Sequence, residues 1–316
     1  MEFLKNTSID FIGKRKIAFI LSAVISLIGL LGVFKVATNS ANMGIDFSGG
    51  TVVQLKFAQP VSTETARAAL VRHDLKEASL QEIAGSNQLL IKTGKTASHA
   101  GPVANTITET FRKELPGNDF TVESSTEIGP SIGDKLKKDT LIAVGISLIG
   151  IVAYIAWRFD LKFGIGATLA TFHDILAMFA VFYVFDKEIN LLFITAVLTI
   201  AGYSLTDTVV VFDRIRENMH KNLNISLSTV FNGSINEVLS RTIVTSLTTF
   251  LASISLFLFG GEVIHDFSFA LVTGIIIATY SSIFIASPIV LELENRKSEQ
   301  ARTSKYNEPL TTSAES

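Results

Sequence analysis

The chain has 316 residues, of which 48% are hydrophobic and only 18% charged. That composition excludes an ordinary soluble domain and points to a protein that crosses a membrane several times. The net charge of −2 gives no global basic field for nucleic acid, and the lack of cysteine excludes disulfides, thiolate catalysis and cysteine-held metals.

Residues 1–16 form a polar arm with Lys5, Lys14, Arg15 and Lys16. Residues 17–36 are an apolar run of membrane-spanning length. A cleaved signal peptide has a shorter apolar core, so this run reads as an uncleaved anchor behind a cytoplasmic arm. Residues 37–138 have the composition of a soluble domain. Their pattern predicts strands at 51–57, 78–84, 88–93 and 120–128, with helices at 62–73 and 100–115. Ser62 is a candidate N-cap with Glu64 in the first turn, and Gly85-Ser86-Asn87 is a hairpin turn. The order β-α-β-β-α-β is that of a ferredoxin-like α+β domain, which names no function by itself. Residues 139–293 hold five more apolar blocks, at 140–157, 163–185, 189–212, 242–259 and 267–291, for six transmembrane helices in all. Residues 294–316 are a polar tail, rich in Ser, Thr and Glu, expected to be disordered.

Lysine and arginine set the orientation. They crowd the arm, the loop with Arg158 and Lys162, the loop with Arg214, Arg216 and Lys221, and the tail with Arg296, Lys297, Arg302 and Lys305. The opposite short loops hold Lys187 alone. Both termini are therefore expected in the cytoplasm, with residues 37–138 on the outer side. Lys135, Lys137 and Lys138 lie on the outer side against this rule, but charges closing a long translocated domain weigh less.

Polar residues inside apolar runs are expensive in lipid and mark candidate sites. Asp207 stands in the fourth span with Tyr203 one turn before it and Thr206 beside it. The third span contains His173 and Asp174; the fifth opens with Arg241 and a run of hydroxyls that includes Thr245. Helical spacing gathers Gly166, Ala170, His173, Asp174 and Ala177 on one face, and Arg241, Thr245, Thr248, Thr249 and Ala252 on another. Such small and hydroxyl faces let helices approach closely, so both stripes are expected to meet Tyr203, Thr206 and Asp207 in one buried seam. At roughly 1.5 Å per residue, Asp207 lies about 9 Å from Asp213 and Arg241 about 6 Å from Glu237. An Asp207–Arg241 ion pair is therefore possible, with Asp174 as a more outward station. The proton affinity of a carboxylate follows the approach of a cation, which would couple protons to movement. The alternatives are a structural polar contact for Asp207, a snorkelling interfacial side chain for Arg241, and a partner that merely orients Asp174 for His173.

Several long motifs in order resemble the SecF family of Sec protein-translocase membrane subunits, within the SecD/SecF group of the resistance-nodulation-division superfamily. They are MGIDFSGGT (Met43–Thr51), IGPSIG (Ile128–Gly133), HDI (His173–Ile175), YSLTDTVVVFDRIREN (Tyr203–Asn218) and SRTIVTSLTT (Ser240–Thr249). The resemblance covers about residues 10–295. It implies a bundle of the resistance-nodulation-division type and a complex with SecD beside the SecYEG channel. It also implies use of the proton-motive force to assist a translocating preprotein. The family's intramembrane residues fall on Asp207 and Arg241, and on Asp174 through the HDI motif.

The competing reading is half of a proton-driven small-molecule or lipid exporter of the same superfamily. Such exporters carry two bundle halves, whereas this chain has one, so either reading requires a partner in the bilayer. A passive scaffold would leave Asp207 and Arg241 structural. A soluble enzyme is disfavoured: Gly44–Gly50 lacks the lysine of a phosphate-binding loop, and those glycines more simply shape the turn out of the first span. The histidines His73, His99, His173, His220 and His265 match no metal-ligand spacing, so neither metal nor cofactor is expected.

Overall fold

The computed structural model describes residues 7–83, 86–94 and 102–306. Expectations on residues 1–6, 84–85, 95–101 and 307–316 lie outside them, including Lys5, Gly85, His99, the first residues of the second domain helix and the end of the tail. The chain forms two compact units, one of residues 35–146 and 186–195 and the other of the remainder.

The first unit is built on strands β1 (Gly50–Phe57), β2 (Ser79–Ile83), β3 (Gln88–Thr93) and β4 (Phe120–Ile128), in the order β2-β3-β1-β4 with every pair antiparallel. This is the expected ferredoxin-like arrangement. Alternation along β1 and β3 puts Val53, Leu55, Phe57, Leu89 and Ile91 on one face. Helices α3 (Thr63–Arg72) and α4 (Val103–Glu114) cover that face with Ala66, Leu70, Ile107 and Phe111. Ser62 caps α3 as expected, accepting from the Thr65 N–H at 3.2 Å. Arg72 and His73 bond Glu114 at 2.6 and 3.3 Å, tying α3 to α4 and holding this partly buried carboxyl below its ordinary range.

The first span, α1 (Arg15–Ala37), reaches this unit through a single helical turn, α2 (Ile45–Ser48). Gly49 (φ +69°) and Gly50 (φ +143°) then turn the chain into β1, and a side chain on Gly50 would strike the Thr93 carbonyl. The segment before this turn is stitched to residues 186–191. Ile189 N–H donates to the Asn42 carbonyl at 2.8 Å, and Gly44 N–H to the Ile189 carbonyl at 3.0 Å. The Asp46 carboxylate accepts from the Leu191 N–H at 2.9 Å, a favourable place for an anion at a helix start. Lys92 on β3 pairs with Glu188 at 2.6 Å.

The second unit is the helical bundle. Its helices are α1, α5 (Pro130–Arg158), α6 (Leu161–Val184), α7 (Leu191–Lys221), α8 (Leu227–Phe259), α9 (Glu262–Ser281), a π-turn (Ser282–Ala286) and α10 (Ser287–Tyr306). Of these, α1, α5 and α7 begin or end in the first unit. Six candidate spans result among the described residues, because α9, the π-turn and α10 are one span. Phe159, Phe163 and Phe212 form an aromatic knot, with ring centroids 5.1 Å apart for Phe163–Phe212. α1 crosses α6 closely: a side chain at Gly29 would strike the Leu176 carbonyl, and one at Gly32 would lie 3.1 Å from the Phe179 carbonyl.

Several helices outrun their apolar blocks. α5 starts at Pro130, where a missing N–H costs nothing, so the end of the expected 37–138 domain is already helical. α8 starts at Leu227 because Ser226 caps it and Val230, Phe231, Ile235 and Leu239 bury one stripe. At about 1.5 Å per residue its length exceeds the ~30 Å hydrocarbon core. α10 runs on to Tyr306, past the last apolar block, with Glu292 and Arg296 spaced i,i+4 at 3.8 Å.

Candidate intramembrane proton site

α6, α7, the α9–α10 span and α8 converge on two carboxylates. Asp174 on α6 has no exposed surface, and Asp207 on α7 is 8% exposed. Asp174 Oδ2 accepts from the Ser204 hydroxyl of α7 and from the Ser281 hydroxyl at 2.8 Å. Its Oδ1 lies 3.1 Å from His173 Nδ1, within hydrogen-bonding distance. The other imidazole nitrogen, Nε2, is buried without a partner among the described residues. Asp207 Oδ2 accepts from the Ser282 hydroxyl at 2.7 Å, and the buried Thr242 hydroxyl faces it without a hydrogen bond of ordinary geometry.

Two consecutive serines, Ser281 and Ser282, thus serve two carboxylates on different helices. Successive residues on a helix point about 100° apart, which aims one at α6 and the other at α7. The π-turn that begins at Ser282 has a local cause. Pro288 lacks an N–H and its ring crowds the carbonyl one turn back, so the ladder cannot continue unbroken. The turn widens, and the Ser287 hydroxyl takes the Ser282 carbonyl at 3.1 Å. Gly166 of α6 packs here, where a side chain would lie 3.2 Å from the Ala286 carbonyl.

A second hydroxyl cluster lies beside the first. Tyr203 donates to Ser246 of α8 at 3.1 Å, and Thr279 of α9 donates to the same hydroxyl at 2.8 Å.

The expected single buried seam is corrected in three places. Arg241 is exposed, within electrostatic range of Asp207, but forms no ion pair within 4 Å among the described residues. Thr245 is exposed and bonds the Arg241 carbonyl of its own helix at 3.0 Å, and Thr248 and Thr249 do likewise one turn on. Thr206 is exposed and bonds the Gly202 carbonyl at 3.0 Å. The reason is geometric: α8 turns Thr242, Ser246 and Ser253 inward, which leaves the Arg241–Thr245–Thr249 stripe outward. Sequence reasoning missed Ser204, Ser281 and Ser282. The available signals were a paired serine within an apolar run and a proline one and a half turns later.

Comparison with known proteins gives one answer along the chain. The family described as protein export membrane protein SecD/SecF, C-terminal, matches residues 107–296, and the SecD/SecF GG motif matches residues 41–61. The protein translocase subunit SecF of Thermodesulfovibrio yellowstonii is 50% identical over 295 residues, covering 93% of this chain and 97% of that one. SecF of Calditerrivibrio nitroreducens is 44% identical over 297 residues, 92% of this chain and 96% of the relative. The crystal structure of SecDF from Thermus thermophilus, described as a translocon-associated membrane protein, matches with a TM-score of 0.79 at 33% identity. That match covers 94% of this chain and 40% of that chain, so the present chain spans about two fifths of SecDF's length.

Proposed function

The chain belongs to the SecD/SecF family of protein export membrane proteins, and on that premise we propose that it uses the proton-motive force, with a SecD-type partner, to assist polypeptide export through a Sec channel. The observation that carries this reading is the pair of buried carboxylates. Asp174 and Asp207 sit in helices of membrane-spanning length, and such groups face functional paths because lipid tolerates them poorly. Their donors are hydroxyls and one imidazole, groups that can both give and accept hydrogen bonds as a proton moves.

The outward stripe of α8 supports the partner. Arg241, Thr245, Thr248, Thr249 and Ala252 are exposed in the isolated chain, as are Gly202 and Thr206 of α7. The threonine hydroxyls are satisfied by their own helices, so this face is small and smooth and suits close approach by another helix. Arg241 calls for a carboxylate from that partner, or from Asp207 after a shift. Arg241→Ala should leave the fold of this chain within about 0.5 kcal/mol, since no ion-pair partner among the described residues is lost. It should weaken retention of the partner in gentle detergent and abolish gradient-driven stimulation. Arg241→Lys should be intermediate, because an ammonium does not replace a planar fork. Partner retention and stimulation both at wild-type level in Arg241→Ala would refute this role.

The orientation follows from the basic end of the bundle. Arg158 pairs with Asp213 at 2.7 Å, Lys162 with Glu294 at 2.7 Å and Arg216 with Asp160 at 3.6 Å, and the arm bonds Asn232 and Asn236 on α8. We place this end and both termini in the cytoplasm, with the ferredoxin-like domain on the opposite side. A reporter fused after Leu115 should read as periplasmic and one after Asn218 as cytoplasmic. The reverse pattern would overturn the placement.

A further inference from the structure

We infer that Ser281 and Ser282 are two-position hydroxyls that let Asp174 and Asp207 change protonation state without repacking the bundle, coupling the two carboxylates through one π-turn. This deepens the proton-handling reading above and rests on it.

The argument is a count of protons. Each serine hydroxyl has one hydrogen and can accept through its lone pairs. Ser282 Oγ nevertheless has two acceptors in reach: Asp207 Oδ2 at 2.7 Å and the Thr279 carbonyl at 3.1 Å. Ser281 Oγ repeats the pattern, with Asp174 Oδ2 at 2.8 Å and the Ala278 carbonyl at 3.1 Å. The hydroxyl can satisfy only one acceptor at a time, so each serine has two settings. When Asp207 is ionised, Ser282 donates to Oδ2. When Asp207 gains a proton, its own O–H donates to Ser282 Oγ, and the serine hydrogen turns to the Thr279 carbonyl. One proton is added to the carboxylate, one hydroxyl rotates, and no heavy atom moves. The same exchange serves Asp174 through Ser281 and the Ala278 carbonyl.

Both settings matter because these positions are closed to compensation. Ser281 and Ser282 have no exposed surface, and a buried polar group left without a partner is costly. The two serines are adjacent, at the start of a turn whose ladder is already interrupted by Pro288. The Ala278 carbonyl within reach of the Ser281 hydroxyl also accepts the Ser282 N–H, so the setting of one hydroxyl bears on the backbone bond of the other. The charged or titratable groups around the pair are His173 and Tyr280 near Asp174, and Arg241 and Tyr203 near Asp207.

The test uses the full chain in its assembled complex, reconstituted in vesicles, with an imposed proton gradient and a reporter preprotein. Ser282→Ala should reduce gradient-driven stimulation several-fold and move its pH midpoint upward, because the ionised carboxylate loses a charge-assisted donor. Ser282→Thr keeps the hydroxyl and should restore the midpoint. The infrared carbonyl band that Asp207→Asn removes should shift in Ser282→Ala, a readout independent of export and of any change in abundance. If Asp207→Asn abolishes stimulation while Ser282→Ala and Ser281→Ala leave midpoint and band unchanged, the proton-handling reading stands and this inference falls. If Asp207→Asn keeps full stimulation, both fall.

Discussion

On the proton-handling reading proposed above, Asp207→Asn is expected to eliminate the gradient-driven part of export while the protein still folds, inserts and binds its partner. Asparagine has nearly the same volume as aspartate, and its carbonyl oxygen still accepts the Ser282 hydroxyl that now lies 2.7 Å from Oδ2. Its amide replaces Oδ1 at a position that is 8% exposed, so the new donor is not sealed in an apolar core. The structural cost is therefore within the range of a substitution that preserves hydrogen bonding, about 1 kcal/mol. The expected functional cost on that reading is total, because an amide cannot take up and release a proton near neutral pH. Export of a reporter preprotein into inverted vesicles, with and without an imposed gradient, measures it. The variant should give the rate seen without a gradient under both conditions. Asp174→Asn should likewise keep the fold, because its amide can donate to Ser204 or Ser281, whose hydroxyls are able to accept. Full gradient-driven stimulation in Asp207→Asn at matched abundance would make the carboxylate a packing residue.

Phe111→Ala is expected to destabilise the ferredoxin-like domain strongly without removing the bundle from the membrane. Phe111 has no exposed surface and sits where α4 meets the sheet. Its ring lies 5.6 Å from that of Phe57 and 6.5 Å from that of Phe120, both close to edge-on. Truncating a buried phenylalanine costs about 3–5 kcal/mol, from lost transfer energy and from the cavity left behind. That is a large fraction of the ~5–15 kcal/mol that holds a domain folded. Phe111→Leu should cost about 1.5 kcal/mol or less, because it refills most of the volume. Hydrogen exchange of the full-length protein should show amides of β1 and β3 losing protection, while those of α6 and α7 keep it. Unchanged protection of β1 and β3 in Phe111→Ala would contradict the core described for this domain.

Much of the fold was legible in the chain. Six apolar blocks become six candidate spans, and the strand and helix order of residues 51–128 becomes the sheet β2-β3-β1-β4. The turn at Gly49 and Gly50 and the cap at Ser62 are equally local. The ends of α5, α8 and α10 were less visible, because the hydropathy of a block marks only the part that meets lipid. α8 begins where Ser226 caps it and Phe231 and Ile235 find partners, well outside the apolar run.

What the sequence determined alone is therefore the inventory: a membrane protein of six spans, an α+β domain after the first, and Asp174, Asp207 and His173 as polar groups at depth. These follow from length, composition and period, which act within one segment at a time. The tertiary structure decided which of the polar groups meet. Arg241, Thr245 and Thr206 fell outward, while Ser204, Ser281 and Ser282 fell inward onto the carboxylates. The reason is that a membrane helix is apolar on nearly every face, and its hydroxyls are satisfied by the carbonyl one turn back wherever they point. Neither hydropathy nor local hydrogen bonding then distinguishes an inward stripe from an outward one. Only the packing of α6, α7 and α8 around the π-turn does so, because it fixes which serine hydrogen has a carboxylate within reach.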